Sequence, residues 1–223
     1  MYLRFVISGI FVCMLMACAV TTISGQALDI SSGGQPTITG ALGGSVTGSA
    51  SVLNDLVVTI NFGEVSPANT NSIVKVVVPI AVRSLQPYRV SVSLAGSGNA
   101  NPQGLQSSDI GFGVANIRAM GNQSLVCTQS SHIFYPPFNN DPATTATIAA
   151  NGRVAYQSSL SNITGATAIL SGPRLQRTPN PTRQQTDGYI FDAIVALTPQ
   201  FFAAGTYSAT LTFTISAGPN VPC

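Results

Sequence analysis

The sequence YSATLTFTIS at residues 207–216 carries the clearest structural pattern in the chain. Its odd positions, from Tyr207 to Ile215, are apolar or aromatic, and its even positions are all Ser or Thr. Strict alternation over a run of this length predicts a β-strand with one buried face and one solvent-facing face. The Ser and Thr residues supply a wet face without using charge.

The same two-residue period recurs in four other stretches. They are residues 56–62, 74–82, 88–94 and 189–197. Pro79 interrupts one of these stretches and predicts an edge position or a bulge there. Asn151-Gly152, between two short apolar runs, predicts a hairpin. Helix signals are nearly absent, so we predict an all-β fold, an Ig-like antiparallel β-sandwich that is incomplete if a strand must come from elsewhere.

Charge is scarce in the chain. Its 223 residues include nine Lys or Arg and seven Asp or Glu, 7% in all, against about 25% in an average protein. Disordered segments combine high charge with low hydrophobicity, and 45% of this chain is hydrophobic. A formal net charge of +2 does not make a basic nucleic-acid surface. We therefore expect a folded protein that has no nucleic-acid partner.

The residues that catalysis and metal binding need are few and scattered. His132 is the single histidine, and no second candidate ligand except Cys127 lies within several residues of it. The sequence contains no nucleophile elbow, no His-Glu-x-x-His and no phosphate-binding Gly-rich loop. We therefore predict no catalytic residues, no metal site and no cofactor, and expect that the protein is not an enzyme.

The first 27 residues read as a signal peptide. Arg4 supplies the positive end, and residues 5–16 form an apolar stretch of the length of a secretory core. Cleavage after Ala27 or Ala19 fits small-residue sites. A lipobox at residues 15–18 is a further alternative, which would leave a lipoprotein anchored at Cys18. We predict an exported protein, extracellular or at the cell surface after periplasmic transit, with no transmembrane segment.

Two cysteines remain after cleavage at Ala27. An exported chain with Cys127 and Cys223 most simply forms one disulfide between them. Such a bond would close a loop of about a hundred residues, worth about 4–5 kcal/mol. Because Cys223 is the final residue, pairing between two molecules is the alternative.

Residues 28–53 form a Gly-, Ser- and Thr-rich extension ahead of a β-sandwich domain at residues 54–223. Within it, residues 35–52 alternate small or apolar residues with Ser and Thr. Three interpretations stay open: a donor strand for a neighbouring subunit, the first strand of the chain's own sandwich, or a flexible linker. The candidate donor residues are Ile38, Gly40, Leu42, Gly44, Val46 and Gly48.

Four motifs, in order along residues 56–217, resemble spore coat protein U-type domains, a group that includes the archaic chaperone–usher pilins. They are LVVTINFGEVSP at 56–67, LQPYRVSVSL at 85–94, IRAM at 117–120 and AGTY at 204–207. The family's early cysteine has no counterpart at residues 82–84. The resemblance implies an incomplete sandwich whose N-terminal strand completes the next subunit.

On this reading the protein is a structural surface protein, a pilin-like or coat-like subunit. Its partners would be further copies or homologous subunits, with a periplasmic chaperone during export. The alternative function is a secreted, non-enzymatic adhesin or glycan-binding sandwich. For that function Tyr135, Phe138 and Tyr156 would be the exposed aromatic rings that stack on sugars.

Overall fold

The computed structural model describes residues 28–40, 44–49, 54–63, 73–96, 104–121, 127–150, 153–175, 188–200 and 207–222. The strands in these ranges are β1 (Leu28–Ser32), β2 (Thr37–Thr39), β3 (Ser45–Ser49), β4 (Asp55–Asn61), β5 (Val74–Ser84), β6 (Tyr88–Ala95), β7 (Gly111–Met120), β8 (Ile133–Phe134), β9 (Thr147–Ile148), β10 (Val154–Ala155), β11 (Thr167–Gly172), β12 (Gly188–Leu197) and β13 (Ser208–Ala217). One short α-helix, α1 (Pro142–Thr145), accompanies them. No helix in the described part of the chain is long and apolar enough to cross a membrane.

The strands form two large antiparallel sheets. The first sheet has the order β1–β5–β12–β7, with β2 also paired to β5. The second has the order β3–β4–β13–β6–β11–β8. One continuous cluster of buried apolar side chains includes residues from both sheets. The prediction of an all-β antiparallel sandwich is therefore confirmed.

The stretch at residues 207–216 lies at the centre of the second sheet. β13 pairs with β4 on one side and β6 on the other. Its apolar positions, Ala209, Leu211, Phe213 and Ile215, are buried, while the intervening Thr residues are half-buried. Alternation thus predicted both the strand and its buried face, because one side of this sheet faces solvent.

β12 is buried on both faces, which explains why its alternation is less clean. Besides the inward residues, Ile194 and Ala196 are fully buried on the outer face of the first sheet. α1 packs against this outer face of β12. Asp192 also lies on this face, where its carboxylate accepts hydrogen bonds from Arg118 at 2.9 Å and Asn116 at 3.2 Å.

Two glycines of β7 make room for the segment around α1, which lies on the outer face of the first sheet and which we call the cover. A Cβ atom at Gly113 would collide with the carbonyl oxygen of Asn140, and one at Gly111 would collide with the ring of Tyr156. The segment around α1 can therefore lie directly on the backbone of the sheet. The sequence Gly111-Phe-Gly113 serves this close approach.

Pro79 lies in β5, an interior strand, so the expectation of an edge position is wrong. The pairing of β5 with β12 has no bulge, and the irregularity beside Pro79 is the gap between β1 and β2. The carbonyl oxygen of Pro79 accepts a hydrogen bond of 2.8 Å from the amide of Gly33. In an antiparallel strand the amide position of a residue points the same way as its carbonyl. The missing N–H of Pro79 therefore faces the residues between β1 and β2. The backbone hydrogen bonds that pair the N-terminal strands with β5 are interrupted at this point.

Different segments of the chain close the two sides of the sandwich. On one side, β1 and β2 border the first sheet and β3 borders the second. On the other side, Phe138 and Ser158 accept hydrogen bonds from the amides of Val114 and Phe112 along β7. β9 and β10 pair as a hairpin in this covering region, which confirms the predicted hairpin, although Asn151 and Gly152 themselves lie outside the described residues.

Candidate assembly surface

The first two described strands of the chain, β1 and β2, pair along almost the whole of β5. β1 pairs antiparallel from Leu28 opposite Ser84 to Ser32 opposite Ile80. β2 resumes the pairing with the first half of β5. In the second sheet, β3 pairs with β4. The described residues 28–40 and 44–49 thus border both sheets on one side of the sandwich through backbone hydrogen bonds, and we name them the N-terminal segment.

Two side chains anchor this segment between the sheets. Leu28 is 9% exposed and Ile30 is 0% exposed, and both belong to the common core cluster. Ile38 of β2 and Val46 of β3 are partly buried against the same cluster. Burying a Leu or Ile side chain contributes about 1.5–3 kcal/mol. The first strand of the segment is therefore its main apolar attachment.

A polar link holds the outward side of β1. Nη1 of Arg83 donates to Oδ2 of Asp29 at 2.9 Å and to Oγ of Ser31 at 2.9 Å. Asp29 and Arg83 lie directly opposite each other in the register. The Arg83 side chain is 13% exposed and that of Asp29 is 35% exposed. This pair is better shielded from water than a surface salt bridge.

Glycines let the segment turn and lie close to its neighbours. A Cβ atom at Gly33 would stand 3.0 Å from Cγ2 of Ile190 and 3.1 Å from the amide nitrogen of Ala81. Gly40 has a φ of +81°, and a Cβ there would stand 2.7 Å from the carbonyl oxygen of Ile73. At both positions a larger residue would push the segment away from β5.

The candidate donor residues are distributed over both halves of this segment. Ile38 lies in β2, Gly40 follows β2, Gly44 precedes β3, and Val46 and Gly48 lie in β3. Leu42 lies outside the described residues. In the structure the described members belong to paired or flanking parts of the chain's own sandwich. Their role as a donor to a neighbour stays a prediction.

Sequence reasoning missed the strongest anchors of the segment. Leu28 and Ile30 lie just ahead of the stretch at 35–52, and the partner residue Arg83 lies far along the chain. A short signal was available, because Leu28-Asp29-Ile30-Ser31 already alternates apolar and polar residues directly after the expected cleavage site. The broken ladder opposite Pro79 separates this run from the later one.

The two sheet edges on this side carry almost no charge. Asp29 is the only charged residue in the segment, and its carboxylate is paired with Arg83. β3 presents Ser and Thr side chains and Gly48, where an added Cβ would meet none of the described residues within 4 Å. Monomeric β-proteins usually protect such edges with Lys, Glu or similar charges. Pro36, between β1 and β2, is the main residue here that hinders pairing with a further strand, because proline has no amide hydrogen to donate.

The predicted disulfide lies at a cleft beside the chain end. Cys127 is buried, and its Sγ lies 3.6 Å from the carbonyl oxygen of Arg174. A cleft of about 500 Å³ is lined by Cys127, Arg174 and the C-terminal residues Asn220, Val221 and Pro222, together with Leu85, Gln86, Pro87 and Pro173. Cys223 lies outside the described residues, so the Cys127–Cys223 bond stays a prediction.

His132 lies in a buried aromatic cluster next to Cys127. Its ring packs edge-on against Tyr189 at 4.5 Å between centroids and tilts toward Tyr88 at 5.9 Å. The Tyr189 hydroxyl donates to the carbonyl oxygen of Cys127 at 2.6 Å. A Cβ at Gly172 would stand 2.6 Å from Cδ2 of His132. The histidine therefore packs as part of the core.

Burial keeps this cluster neutral. Burial lowers the pKa of His132 from its ordinary 6.5, and hydrogen bonding to the backbone of Gln129 and Thr128 opposes the shift only in part. Because Nδ1 faces the carbonyl oxygen of Gln129 at 3.0 Å, the neutral ring carries its proton there. Burial also raises the pKa of Tyr88 well above 10, helped by nearby Tyr189.

The described residues contain no group of three or more His, Cys, Asp or Glu side chains that could hold a metal ion. Asp141 accepts a hydrogen bond from the amide of Ala143 at the start of α1. It also pairs with Lys75 at 2.5 Å.

The aromatic rings considered for sugar stacking make internal contacts. Phe138 is 3% exposed and packs edge-on against Phe112, so its expected exposure is wrong. The Tyr135 hydroxyl pairs with Oγ of Ser171 at 2.9 Å. Tyr156, half-buried over Gly111, accepts from the amide of Thr198 at 2.8 Å. Phe138 therefore offers no exposed ring for stacking, whereas a role of the half-buried Tyr135 and Tyr156 in a glycan site stays a prediction.

No protein-family model, no curated protein and no solved structure matches this chain.

Proposed function

We propose that the protein is an exported structural surface protein, a subunit that assembles with further copies by β-strand complementation. The observation that carries this proposal is the position of the N-terminal segment. It borders both sheets on one side of the sandwich, through backbone pairing to β5 and β4 and insertion of Leu28 and Ile30. The same contacts would be available to the equivalent segment of a neighbour.

Strand addition of this kind uses general chemistry. Main-chain hydrogen bonds provide affinity, and pockets for alternate side chains provide selectivity. An identical segment from a second molecule would make identical contacts, so exchange costs little once the segment has left its own sandwich. The segment carries a single charged residue, so hydration of charged side chains does little to stabilise the segment when it is detached from the sandwich. A monomer with its own segment in place and a polymer with exchanged segments are thus close in energy.

The scarcity of charge favours assembly over a solitary role. Ser and Thr on the edges of β1, β2 and β3 leave backbone groups available to another strand. In a protein that works alone such edges are a hazard. In a subunit that joins others they are useful. A periplasmic chaperone fits the same scheme, since it would shield the open side of the sandwich during export.

The test uses the exported full-length chain and two Asp substitutions. Ile30→Asp removes the buried anchor of the segment, and Ile148→Asp changes a side chain that is 79% exposed. We expect the wild type and I148D to form polymers visible by negative-stain electron microscopy and light scattering. We expect I30D to form none, and to gain thermal stability when a peptide of residues 28–39 is added.

Strict monomers from the wild type at all concentrations, together with I30D that ignores the peptide, would overturn the proposal. Binding of the wild-type monomer to a glycan array would then favour the adhesin alternative.

A further inference from the structure

Alternation by itself does not fix the register of β1 on β5. A slip of one residue would turn Leu28 and Ile30 out of the core, but a slip of two residues keeps both apolar side chains inward. Another interaction must therefore distinguish the observed register from the registers that differ from it by two residues.

Asp29 and Arg83 supply that interaction. In the observed register they lie directly opposite each other and are joined at 2.9 Å, and Ser31 shares the same guanidinium nitrogen. A slip of two residues would place Asp29 opposite Ala81 or Leu85. Ala81 is fully buried, so there the carboxylate would lose water without gaining a cation. Asp29 is the only charged residue of the segment, so no other residue can replace it.

Gly33 reinforces the same register. It is the residue that fits against Ile190 and the amide of Ala81. A slip of two would bring Ser31 or Gln35 to that place, where a Cβ would stand 3.0 Å from Cγ2 of Ile190. We call the edge of β5 that pairs with β1 the acceptor edge. It therefore favours an apolar–acid–apolar–Ser–x–Gly pattern, which residues 28–33 match.

We propose that Arg83 determines which strand the acceptor edge takes and in which register, by recognising the Asp29 carboxylate of the N-terminal segment of a second copy. This inference rests on the proposed function, because the partner is the exchanged segment. Arg83 is a specificity-determining residue on this view, whereas Leu28 and Ile30 supply affinity.

The test is peptide exchange into the full-length chain, incubated with a fluorescent peptide of residues 28–39 just below its unfolding midpoint. We expect Asp29→Arg in the peptide to weaken uptake by about tenfold, since a charge-assisted hydrogen bond is lost and like charges meet. In the R83D chain the resident segment loses the same contact as an incoming wild-type peptide, so exchange between these identical segments should change little. The R83D chain should instead take up the D29R peptide about tenfold better than the wild-type peptide, which reverses the preference of the wild-type chain.

Two controls make the result specific. Arg153→Asp makes the same charge change at another ion pair, with Asp109 at 3.2 Å, and should leave peptide preference unchanged. If R83D does not fold, Arg83→Gln with the Asp29→Asn peptide gives the same comparison without a reversed charge.

Equal uptake of wild-type and D29R peptides would overturn the role of Arg83 and leave strand complementation standing. Failure of every peptide to enter the wild-type chain, with no polymer formed, would overturn the proposed function and this inference together.

Discussion

Ile30 of β1 lies directly opposite Val82 of β5, and both side chains are fully buried. A strand that begins at residue 28, the first residue after the expected cleavage site, is thus inserted into the core of the sandwich. The stability of the fold and its capacity to assemble depend on the same few side chains.

Ile30→Ala should destabilise the monomeric fold by about 2–5 kcal/mol, because it removes buried methyl groups and leaves a cavity. The measurement is the urea unfolding midpoint of the dilute protein. Ile148→Ala is the matched control, since its side chain is 79% exposed, and should change stability by under about 0.5 kcal/mol. Equal effects of the two changes would show that β1 is not held in the core.

Gly113→Ala should detach the cover on the outer face of the first sheet, because a Cβ there collides with the carbonyl oxygen of Asn140. We expect faster limited proteolysis within residues 136–158 and a lower melting temperature. Gly48→Ala is the control, as no atom in the described ranges lies within 4 Å of the added carbon. Full protection of the cover in G113A would contradict the packing described.

His132 should make the fold sensitive to mild acid. Burial lowers its folded pKa below the ordinary 6.5, so the unfolded chain binds a proton more readily than the folded one. Stability is then complete above pH 6.5 and falls as the pH drops from 6.5 toward the lowered folded value. Urea midpoints between pH 7.5 and 5.5 measure this loss, and His132→Asn should flatten the curve. An unchanged slope in H132N would contradict the assignment.

Cys223→Ser should lower stability if the predicted bond with Cys127 lies within one molecule. Val221 is buried, and Pro222 lines the same cleft as Cys127, which brings the residues next to Cys223 near Cys127. The chain-entropy effect would be about 4–5 kcal/mol. Non-reducing mass spectrometry of peptides measures the pairing directly, and a bond joining two molecules would contradict the intramolecular version.

The strand pattern was predictable where one face of a sheet meets solvent. β13 and β6 alternate cleanly, and the alternation identified their buried residues. β12 was harder to interpret, because Ile194 and Ala196 are also buried, beneath the cover. No local sequence pattern predicts that this face of the strand is covered. The two glycines that admit this cover are recognisable only once Asn140 and Tyr156 are seen to lie on them.

The candidate assembly surface was predicted in part. Periodicity identified residues 35–52 as strand-like, but it could not say which strands they would pair with. Leu28 and Ile30 were missed because the alternating run is short and ends at the irregularity opposite Pro79. The link from Asp29 to Arg83 joins residues that are far apart in the chain, and the register that unites them is a property of the folded sheet.

The most direct test of exchange between subunits uses two full-length variants that each carry one added thiol. Thr37 and Val77 are register partners, and opposed residues in antiparallel strands lie within disulfide range. Thr37→Cys and Val77→Cys chains are mixed, assembled and oxidised, and the cross-linked peptides are identified by mass spectrometry. Strand complementation predicts a disulfide between a T37C chain and a V77C chain in the polymer. Polymers that contain no such bond, although a T37C/V77C double variant forms it within one chain, would contradict assembly by exchange of the N-terminal segment.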